Sequence, residues 1–316
     1  MAERGRRLVR GARGLGSDDV DIRRRFEGTV VLDGGLATEL ERAGMDLRDD
    51  LWSARALLEN PTEILRVHRS YFEAGADVAI SASYQASFEG FEAHGISRSE
   101  GLRLLQLSVS LARDAASDFP GALVAASIGP YGAVLADGSE YRGRYALTVQ
   151  QLVAFHRPRL EALLGAEPDL LAFETIPSIE EAEAIVAILA EIPDARAWVS
   201  FSCRDRTRIS DGTAFSEATA LAASSPQVVA VGVNCTPPAF LPSLLASAEA
   251  GVPLLAYPNL GSEWDASSKS WRLGIGPRPD FGQEAVGWRS SGVIIAGGCC
   301  GTTPEDVRAI AAAVKT

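Results

Sequence analysis

Eight short apolar runs alternate with helix-forming segments from residue 29 to the end of the chain, and this alternation constrains the fold more than any other feature. Each run is apolar throughout, which is typical of parallel strands that are covered on both faces. Eight strand–helix units predict an α/β fold with one closed barrel, the (β/α)8 or TIM barrel. An open, doubly wound sheet is the alternative for the same alternation. The predicted strands are TVVLDGG, DVAISAS, ALVAASIGP, DLLAFET, AWVSFSC, VVAVGVNC, PLLAYPN and GVIIAGG.

Capping residues mark where several of the intervening helices begin. Asn60 and Pro61 form a pair that predicts an N-cap followed by the first helical residue, and Gly75 follows the end of that helix. Ser178 and Glu181 have the spacing of a capping box. Further helices are predicted near residues 97–118, 147–164, 215–224 and 281–290, and over TPEDVRAIAAAVK after the last strand.

The charge balance and the absence of long apolar runs exclude two classes of partner. The sequence has 30 basic and 41 acidic residues and a net charge of −11, whereas nucleic-acid binding requires a basic surface. No apolar run approaches the ~18 residues that a membrane-spanning helix needs. Four cysteines in 316 residues do not make a disulfide scaffold, so we expect a reducing, cytoplasmic location.

The first 27 residues differ in composition from the rest of the chain. They are rich in Arg and Gly, and they lack the apolar segment of a secretory signal. A segment with so few apolar residues has little surface to bury. We therefore expect residues 1–27 to form a flexible tail and residues 28–316 to form a single barrel domain.

The ends of the predicted strands carry the polar and sulfur-containing residues that a functional site would use. In a (β/α)8 barrel, chemistry takes place at the C-terminal ends of the strands. A carboxylate at such a position is costly unless a cation meets it, which marks Glu174 as a functional residue. The candidates at these ends are Asp33, Gly35, Ser81, Ser83, Glu174, Cys203, Asn234, Cys235, Tyr257, Cys299 and Cys300.

Two adjacent cysteines, Cys299 and Cys300, follow the last predicted strand. Neighbouring residues in a strand face opposite sides, so these two side chains converge only where the backbone turns. Gly297 and Gly298 permit such a turn. Cys235 follows a strand two positions away around the barrel, so its thiolate reaches the same point. Three thiolates and one vacant position are typical of a catalytic Zn²⁺ site.

Six motifs occur in an order that resembles the homocysteine S-methyltransferase family. They are VLDGG, ISASYQAS, FET, GVNC, YPN and GGCCGTTP, and they span residues 31–304. The resemblance implies a zinc-dependent barrel enzyme that methylates homocysteine to methionine. Gly301 departs from the S-methylmethionine-using branch, which often has a basic residue directly after its cysteine pair.

The resemblance also assigns roles to individual residues. Cys235, Cys299 and Cys300 match the zinc ligands of the family, and Glu174 matches the residue that holds the ammonium group of the amino acid. Apart from the resemblance, Tyr257 and Trp264 are aromatic residues that either face the sulfonium of the methyl donor through cation–π contacts or pack at the rim of the barrel. The positions that match the homocysteine-binding pocket are Asp33, Gly35, Ser81, Glu174 and Asn234.

Several alternatives stay open at this point. The chain would also fit a non-catalytic zinc- or thiol-binding protein, or the homocysteine-activating subunit of a multi-component methionine synthase. A zinc hydrolase would use Glu174 as its general base. The donor is S-methylmethionine, S-adenosylmethionine or betaine, and the YPNLGSEWD segment resembles the sulfonium users more than the betaine user. Cys203 is interpreted as a buried core residue outside the metal site.

Overall fold

The structure is a computed structural model that describes residues 28–47, 53–261, 263–265, 270–272 and 278–315. The predicted tail, residues 1–27, lies outside the described residues.

Eight parallel strands form a closed barrel. Hydrogen-bonded neighbours follow the order β1-β10-β7-β6-β5-β4-β3-β2, and a parallel bridge between Leu32 and Val78 joins β1 to β2. The (β/α)8 barrel is therefore confirmed, and the open, doubly wound sheet is wrong. The barrel strands are β1 (Val30–Val31), β2 (Val78–Ile80), β3 (Leu123–Ile128), β4 (Leu170–Ile176), β5 (Ala197–Phe201), β6 (Val228–Asn234), β7 (Leu254–Tyr257) and β10 (Val293–Ala296). Between β7 and β10, strands β8 (Glu263–Asp265) and β9 (Ser270–Arg272) form an antiparallel hairpin.

The helices lie between the strands, and the predicted ones are found within about two residues of their expected ends. Among the described residues, none of the helices combines the length and apolar character that crossing a bilayer requires. The α-helices are Leu36–Arg42, Ser53–Glu59, Pro61–Glu73, Phe88–Ala93, Arg98–Ala116, Tyr131–Leu135, Val149–Leu164, Ile179–Leu189, Phe215–Ala223, Leu241–Ser247, Phe281–Ser290 and Pro304–Val314.

The predicted capping box at Ser178 forms only in part. The Ser178 hydroxyl accepts a hydrogen bond from the Glu181 backbone N–H at 3.3 Å. The Glu181 carboxylate, however, contacts His156 Nε2 at 2.8 Å and accepts from the Tyr131 backbone N–H at 2.7 Å. This side chain therefore joins neighbouring segments of the barrel rather than completing the cap.

Side chains fill the barrel interior below the C-terminal mouth. Trp198 and Tyr257 are both fully buried, and the Trp198 indole N–H donates to the Tyr257 hydroxyl at 3.1 Å. Ser200 shares a second hydrogen bond with the same hydroxyl at 2.6 Å. This packing closes the barrel from below, so that the C-terminal mouth is the end at which a ligand can enter.

Candidate metal and substrate site

An open cavity occupies the C-terminal mouth of the barrel. Its walls come from the ends of most of the barrel strands and from the loops that follow them. Of the residues predicted from the sequence, those that line the cavity are Asp33, Gly35, Ser81, Glu174, Cys235, Tyr257, Cys299 and Cys300. The barrel topology thus brings together side chains that are separated by more than 260 positions in the sequence.

Three cysteine sulfur atoms form a cluster within 4.8 Å of one another. The Cys235 and Cys300 sulfurs are 3.7 Å apart, and those of Cys299 and Cys300 are 4.0 Å apart. Tetrahedral coordination with metal–sulfur bonds of about 2.3 Å requires sulfur–sulfur separations of about 3.8 Å. The spacing of the cluster therefore fits a single metal ion bound by three thiolates.

The directions in which the pKa values of the three cysteines are shifted also favour a bound cation. Hydrogen bonds from Cys299 and Cys300 lower the pKa of the Cys235 thiol. The same interactions with Cys235 raise the pKa of Cys299 and of Cys300. The protein alone therefore favours one thiolate, and a divalent cation would allow all three sulfurs to ionise.

Gly297 and Gly298, which precede the cysteine pair, do not have the predicted role of permitting a backbone turn. The residue with a left-handed backbone is Gly301, with φ of 82°, whereas Gly297 and Gly298 do not have positive φ. Glycine is needed at both positions because neighbouring atoms leave no room for a side chain. A Cβ at Gly297 would lie 2.6 Å from the Leu32 Cβ, and one at Gly298 would lie 2.3 Å from the Thr302 Oγ1.

Gly298→Ala is expected to destabilise the fold by about 1–3 kcal/mol, because the new methyl group has no room. The Thr302 hydroxyl that it would strike donates to the Cys299 carbonyl at 2.6 Å and accepts from the Gly35 N–H at 3.1 Å. Urea unfolding measures the loss. Gly287→Ala is the matched control, since Gly287 is at an exposed position of the helix Phe281–Ser290 and nothing lies within 4 Å of its Cβ position. That change should raise stability by up to about 1 kcal/mol. Equal stability of Gly298→Ala and the wild type would contradict the packing argument.

Glu174 lies at the end of β4 and is 7% exposed. Its carboxylate accepts a short hydrogen bond from the Ser127 hydroxyl. Burial raises the pKa of Glu174 to about 7, against the lowering effects of the Ser127 and Tyr257 hydroxyls. A buried carboxylate with a raised pKa is suited to bind a cationic ligand, because the positive charge would favour its ionised form.

Asn234 has a different place from the one predicted. It is fully buried, and its Oδ1 accepts from the Thr175 N–H at 2.7 Å while its Nδ2 donates to the Thr175 Oγ1 at 2.8 Å. Thr175 has φ of 61°, a conformation that is strained for a β-branched residue. Both polar atoms of the Asn234 amide are thus used to hold Thr175, where the pairing of β4 with β5 is irregular, so Asn234 positions the neighbouring Glu174 instead of lining the cavity.

Asp33 follows β1 and faces the same cavity. Its Oδ2 accepts from the Ile80 N–H at 2.8 Å. Burial raises its pKa, and the negative charge of Glu174 adds to this shift, so the two carboxylates are near one another. The His68 ring, on the helix Pro61–Glu73, approaches from behind with Nδ1 4.0 Å from the same oxygen.

Ser81 has its hydroxyl engaged within the wall of the cavity. It accepts from the Ser127 N–H at 3.1 Å and shares a hydrogen bond of 2.7 Å with the Ser83 hydroxyl. Gly35 provides close approach, since a Cβ there would lie 3.0 Å from the Cys299 carbonyl oxygen. Both residues line the cavity, and Gly35 lies beside Cys299.

The remaining candidates lie apart from the cluster or below the cavity. Tyr257 borders the cavity from the barrel interior, where Trp198 and Ser200 already engage its hydroxyl. Trp264 pairs with Trp271 in the β8–β9 hairpin, and its side chain lies outside the described residues. Cys203 is buried in the hydrophobic core and does not belong to the sulfur cluster.

Sequence reasoning missed several residues of the cavity wall that lie outside the strand ends, among them those of the loop after β3. The 3₁₀ helix Ser139–Tyr141 places Glu140 and Tyr141 on the wall of the cavity. Neither residue lies at the end of a predicted strand. The Tyr141 hydroxyl lies 3.2 Å from the Cys235 sulfur. An acidic residue next to a tyrosine in the loop after β3 is the signal in the sequence, but loops lack the periodicity that assigns a side chain to one face.

The electrostatic character of the cavity is acidic. Among the described residues that line it, four are carboxylic acids and none is Arg, Lys or His. Such a lining repels anions and attracts ligands that carry positive charge. The four acids are Asp33, Glu41, Glu140 and Glu174.

Comparison with known proteins identifies relatives along nearly the whole chain. A family model described as homocysteine S-methyltransferase matches residues 30–314. Homocysteine S-methyltransferase YbgG of Bacillus subtilis is 48% identical over 295 residues, covering 90% of this chain and 93% of that protein. Homocysteine S-methyltransferase of Escherichia coli is 47% identical over 295 residues, covering 90% and 94%. The crystal structure of the metallated form of homocysteine methyltransferase MmuM from Escherichia coli gives a TM-score of 0.82 at 44% identity, covering 92% and 99%.

The matched region contains every strand of the barrel and the complete sulfur cluster. The identities are far above the level at which only the fold is shared, and the relatives are covered almost end to end. The chain belongs to the homocysteine S-methyltransferase family.

Proposed function

We propose that this protein transfers a methyl group from a sulfonium donor, S-methylmethionine or S-adenosylmethionine, to the sulfur of homocysteine, giving methionine. The observation that carries the proposal is the convergence of three cysteine sulfurs within 4.8 Å at the mouth of an acidic cavity. Family membership supports the same reaction, and it weighs against a hydrolase or a non-catalytic thiol-binding protein. The relatives are matched over more than 90% of their length by this single chain.

The metal proposed for the cluster is zinc, held by Cys235, Cys299 and Cys300. Three cysteine sulfurs are soft ligands, and tetrahedral sulfur sites of this kind are typical of zinc. When bound, zinc supplies a Lewis acid that keeps a coordinated thiol deprotonated at neutral pH. The 3.2 Å contact between Cys235 and the Tyr141 hydroxyl lets that hydroxyl donate to the ligand sulfur and hold its orientation.

Homocysteine is proposed to bind with its ammonium group against Glu174 and Asp33. Both side chains are buried and line the cavity, so an ammonium group would balance charge that the protein leaves uncompensated. Gly35 and Ser81 shape the wall next to these acids. Asn234 holds the Glu174–Thr175 segment of β4 in place through its two hydrogen bonds to Thr175.

The bond changes are balanced without a protein nucleophile. The homocysteine sulfur supplies the electron pair of the new sulfur–methyl bond, and the old carbon–sulfur pair stays with the donor sulfur, which becomes a neutral sulfide. The homocysteine thiol is mostly protonated at neutral pH before binding, because its pKa is about 8.5. Its proton would be released to solvent when the sulfur binds a metal. The acidic walls hold both reactants in position, and such alignment supplies much of the rate enhancement in a two-substrate transfer.

A direct test is methionine formation from homocysteine with each of three donors. The zinc-loaded protein alone should form methionine with S-methylmethionine or S-adenosylmethionine and not with betaine. Because S-methylmethionine itself becomes methionine when it loses a methyl group, homocysteine labelled with carbon-13 in its backbone and mass spectrometry would identify the methionine that comes from the acceptor. Methionine formed only after a cobalamin or folate protein is added would point to a subunit of a larger synthase. Activity with betaine would contradict the sulfonium assignment.

A further inference from the structure

Glu140 is a buried carboxylic acid that neither the metal nor the homocysteine pocket uses. It is 7% exposed and lines the cavity. Its Oε2 has no hydrogen-bond partner among the described residues. The nearby guanidinium of Arg142 is directed to Asp137 and Ser139 instead. A buried carboxylate oxygen without a partner is costly, unless the residue serves a cation that comes from outside the chain.

The backbone holds Glu140 firmly in this position. The Ser202 hydroxyl donates to its carbonyl oxygen at 3.0 Å, and Gly132 packs so closely that a Cβ there would lie 2.5 Å from the Glu140 nitrogen. The side chain is therefore presented by a fixed loop, as a recognition group requires.

The surroundings of Glu140 place it at the reacting end of the cavity. Its neighbour Tyr141 contacts the Cys235 sulfur at 3.2 Å. Burial raises the pKa of Glu140 to about 7, and the negative charge of Cys235 contributes to this shift. The charge of Glu140 in turn helps to raise the pKa of Tyr84, after burial. One carboxylate and two aromatic rings thus border the space beside the sulfur cluster.

We propose that Glu140 is the residue that binds the sulfonium centre of the methyl donor, an inference that rests on the proposed function. The donor must bring its positively charged sulfur close to the cluster, because the methyl group passes directly between two sulfur atoms. Asp33 and Glu174 are assigned to the ammonium group of homocysteine, so a further carboxylate is needed for the second cation. Tyr84 and Tyr141 add aromatic faces of the kind that stabilise onium groups.

This assignment predicts which kinetic constant changes. The positive charge on the donor sulfur is full in the bound substrate and is being lost in the transition state. A carboxylate beside it therefore stabilises the bound donor more than the transition state. Glu140→Gln should raise the KM for S-methylmethionine by roughly tenfold or more without lowering kcat, while the KM for homocysteine and the zinc content stay unchanged.

A neutral isostere of the donor separates the sulfonium contact from other effects. In 2-amino-5-methylhexanoate, a CH group replaces the sulfonium sulfur of S-methylmethionine, and the amino-acid end is identical. Its inhibition constant against S-methylmethionine, measured at saturating homocysteine, should be the same for wild type and Glu140→Gln. Glu41→Gln is the matched control, because it makes the same change at another acid that lines the cavity but is exposed to solvent, where its charge is screened. This variant should change neither the KM for S-methylmethionine nor the inhibition constant of the isostere.

Two results would overturn the proposal. If Glu140→Gln weakens the binding of the donor and of its isostere equally, the carboxylate contacts the amino-acid end of both ligands or only supports the cavity wall. If neither changes, no cation binds there. Should the wild type form no methionine, the proposed function fails by itself. Calorimetry of S-methylmethionine and of the isostere with zinc-loaded protein then still shows whether Glu140 distinguishes a sulfonium from a carbon.

Discussion

Cys235→Ser, Cys299→Ser and Cys300→Ser are each expected to lose most of the bound metal and nearly all methyl transfer. The three sulfurs lie within 4.8 Å of one another, so each would supply one of the three ligands that this cluster of the described residues offers. A serine hydroxyl is not ionised at neutral pH and is a poor ligand for a soft site. Losing several kcal/mol of activation of the acceptor sulfur corresponds to a fall in kcat/KM of about a thousandfold or more.

Cys203→Ser is the matched control for these three variants. Cys203 is buried, as Cys235 is, but it packs in the hydrophobic core and its sulfur lies outside the cluster. Elemental analysis of the purified proteins should give about one zinc per chain for the wild type and for Cys203→Ser. Loss of zinc from Cys203→Ser, with retention in one of the other three, would show that the ligand assignment is wrong. Circular dichroism would establish that each variant is folded.

The arrangement of the barrel was open to prediction because it depends on periodic features. Eight apolar runs specify eight buried strands, and the helix expected near 97–118 is found at Arg98–Ala116. Once the strands close into a barrel, their C-terminal ends must meet at one mouth. The approach of Cys235 to the Cys299–Cys300 pair follows from that topology, although the two segments are more than 60 residues apart.

The details that the sequence did not reveal depend on tertiary contacts without a local pattern. Gly298 is required by the position of Thr302, which is set by packing across the barrel mouth. Asn234 turns its amide to Thr175 because that residue has a strained backbone. Glu140 stands in a loop, where neither a helical nor a strand period indicates whether a side chain faces the cavity or solvent.

Glu174→Gln is expected to weaken homocysteine binding by about one to two orders of magnitude while zinc stays bound. A hydrogen bond to a charged group contributes roughly 1.5–3 kcal/mol, and the neutral amide loses the charge that the ammonium group meets. The shape of the side chain is kept, and Glu174 is not part of the sulfur cluster. Isothermal calorimetry with homocysteine measures the affinity. Glu140→Gln, the same change at another buried acid of the cavity, should leave it unaltered.

The pH dependence of the difference in homocysteine affinity between wild type and Glu174→Gln gives a second, more specific test. Because the pKa of Glu174 is raised to about 7 by burial, its carboxylate is ionised above that pH and protonated below it. The ammonium group binds the ionised form, so wild-type affinity should fall as pH is lowered through about 7. Ionisation of the homocysteine thiol also depends on pH, but this component is common to wild type and Glu174→Gln. The ratio of their dissociation constants should therefore be largest above pH 7 and approach one well below it. A ratio that does not vary with pH would mean that the Glu174 carboxylate does not carry the charge that homocysteine meets.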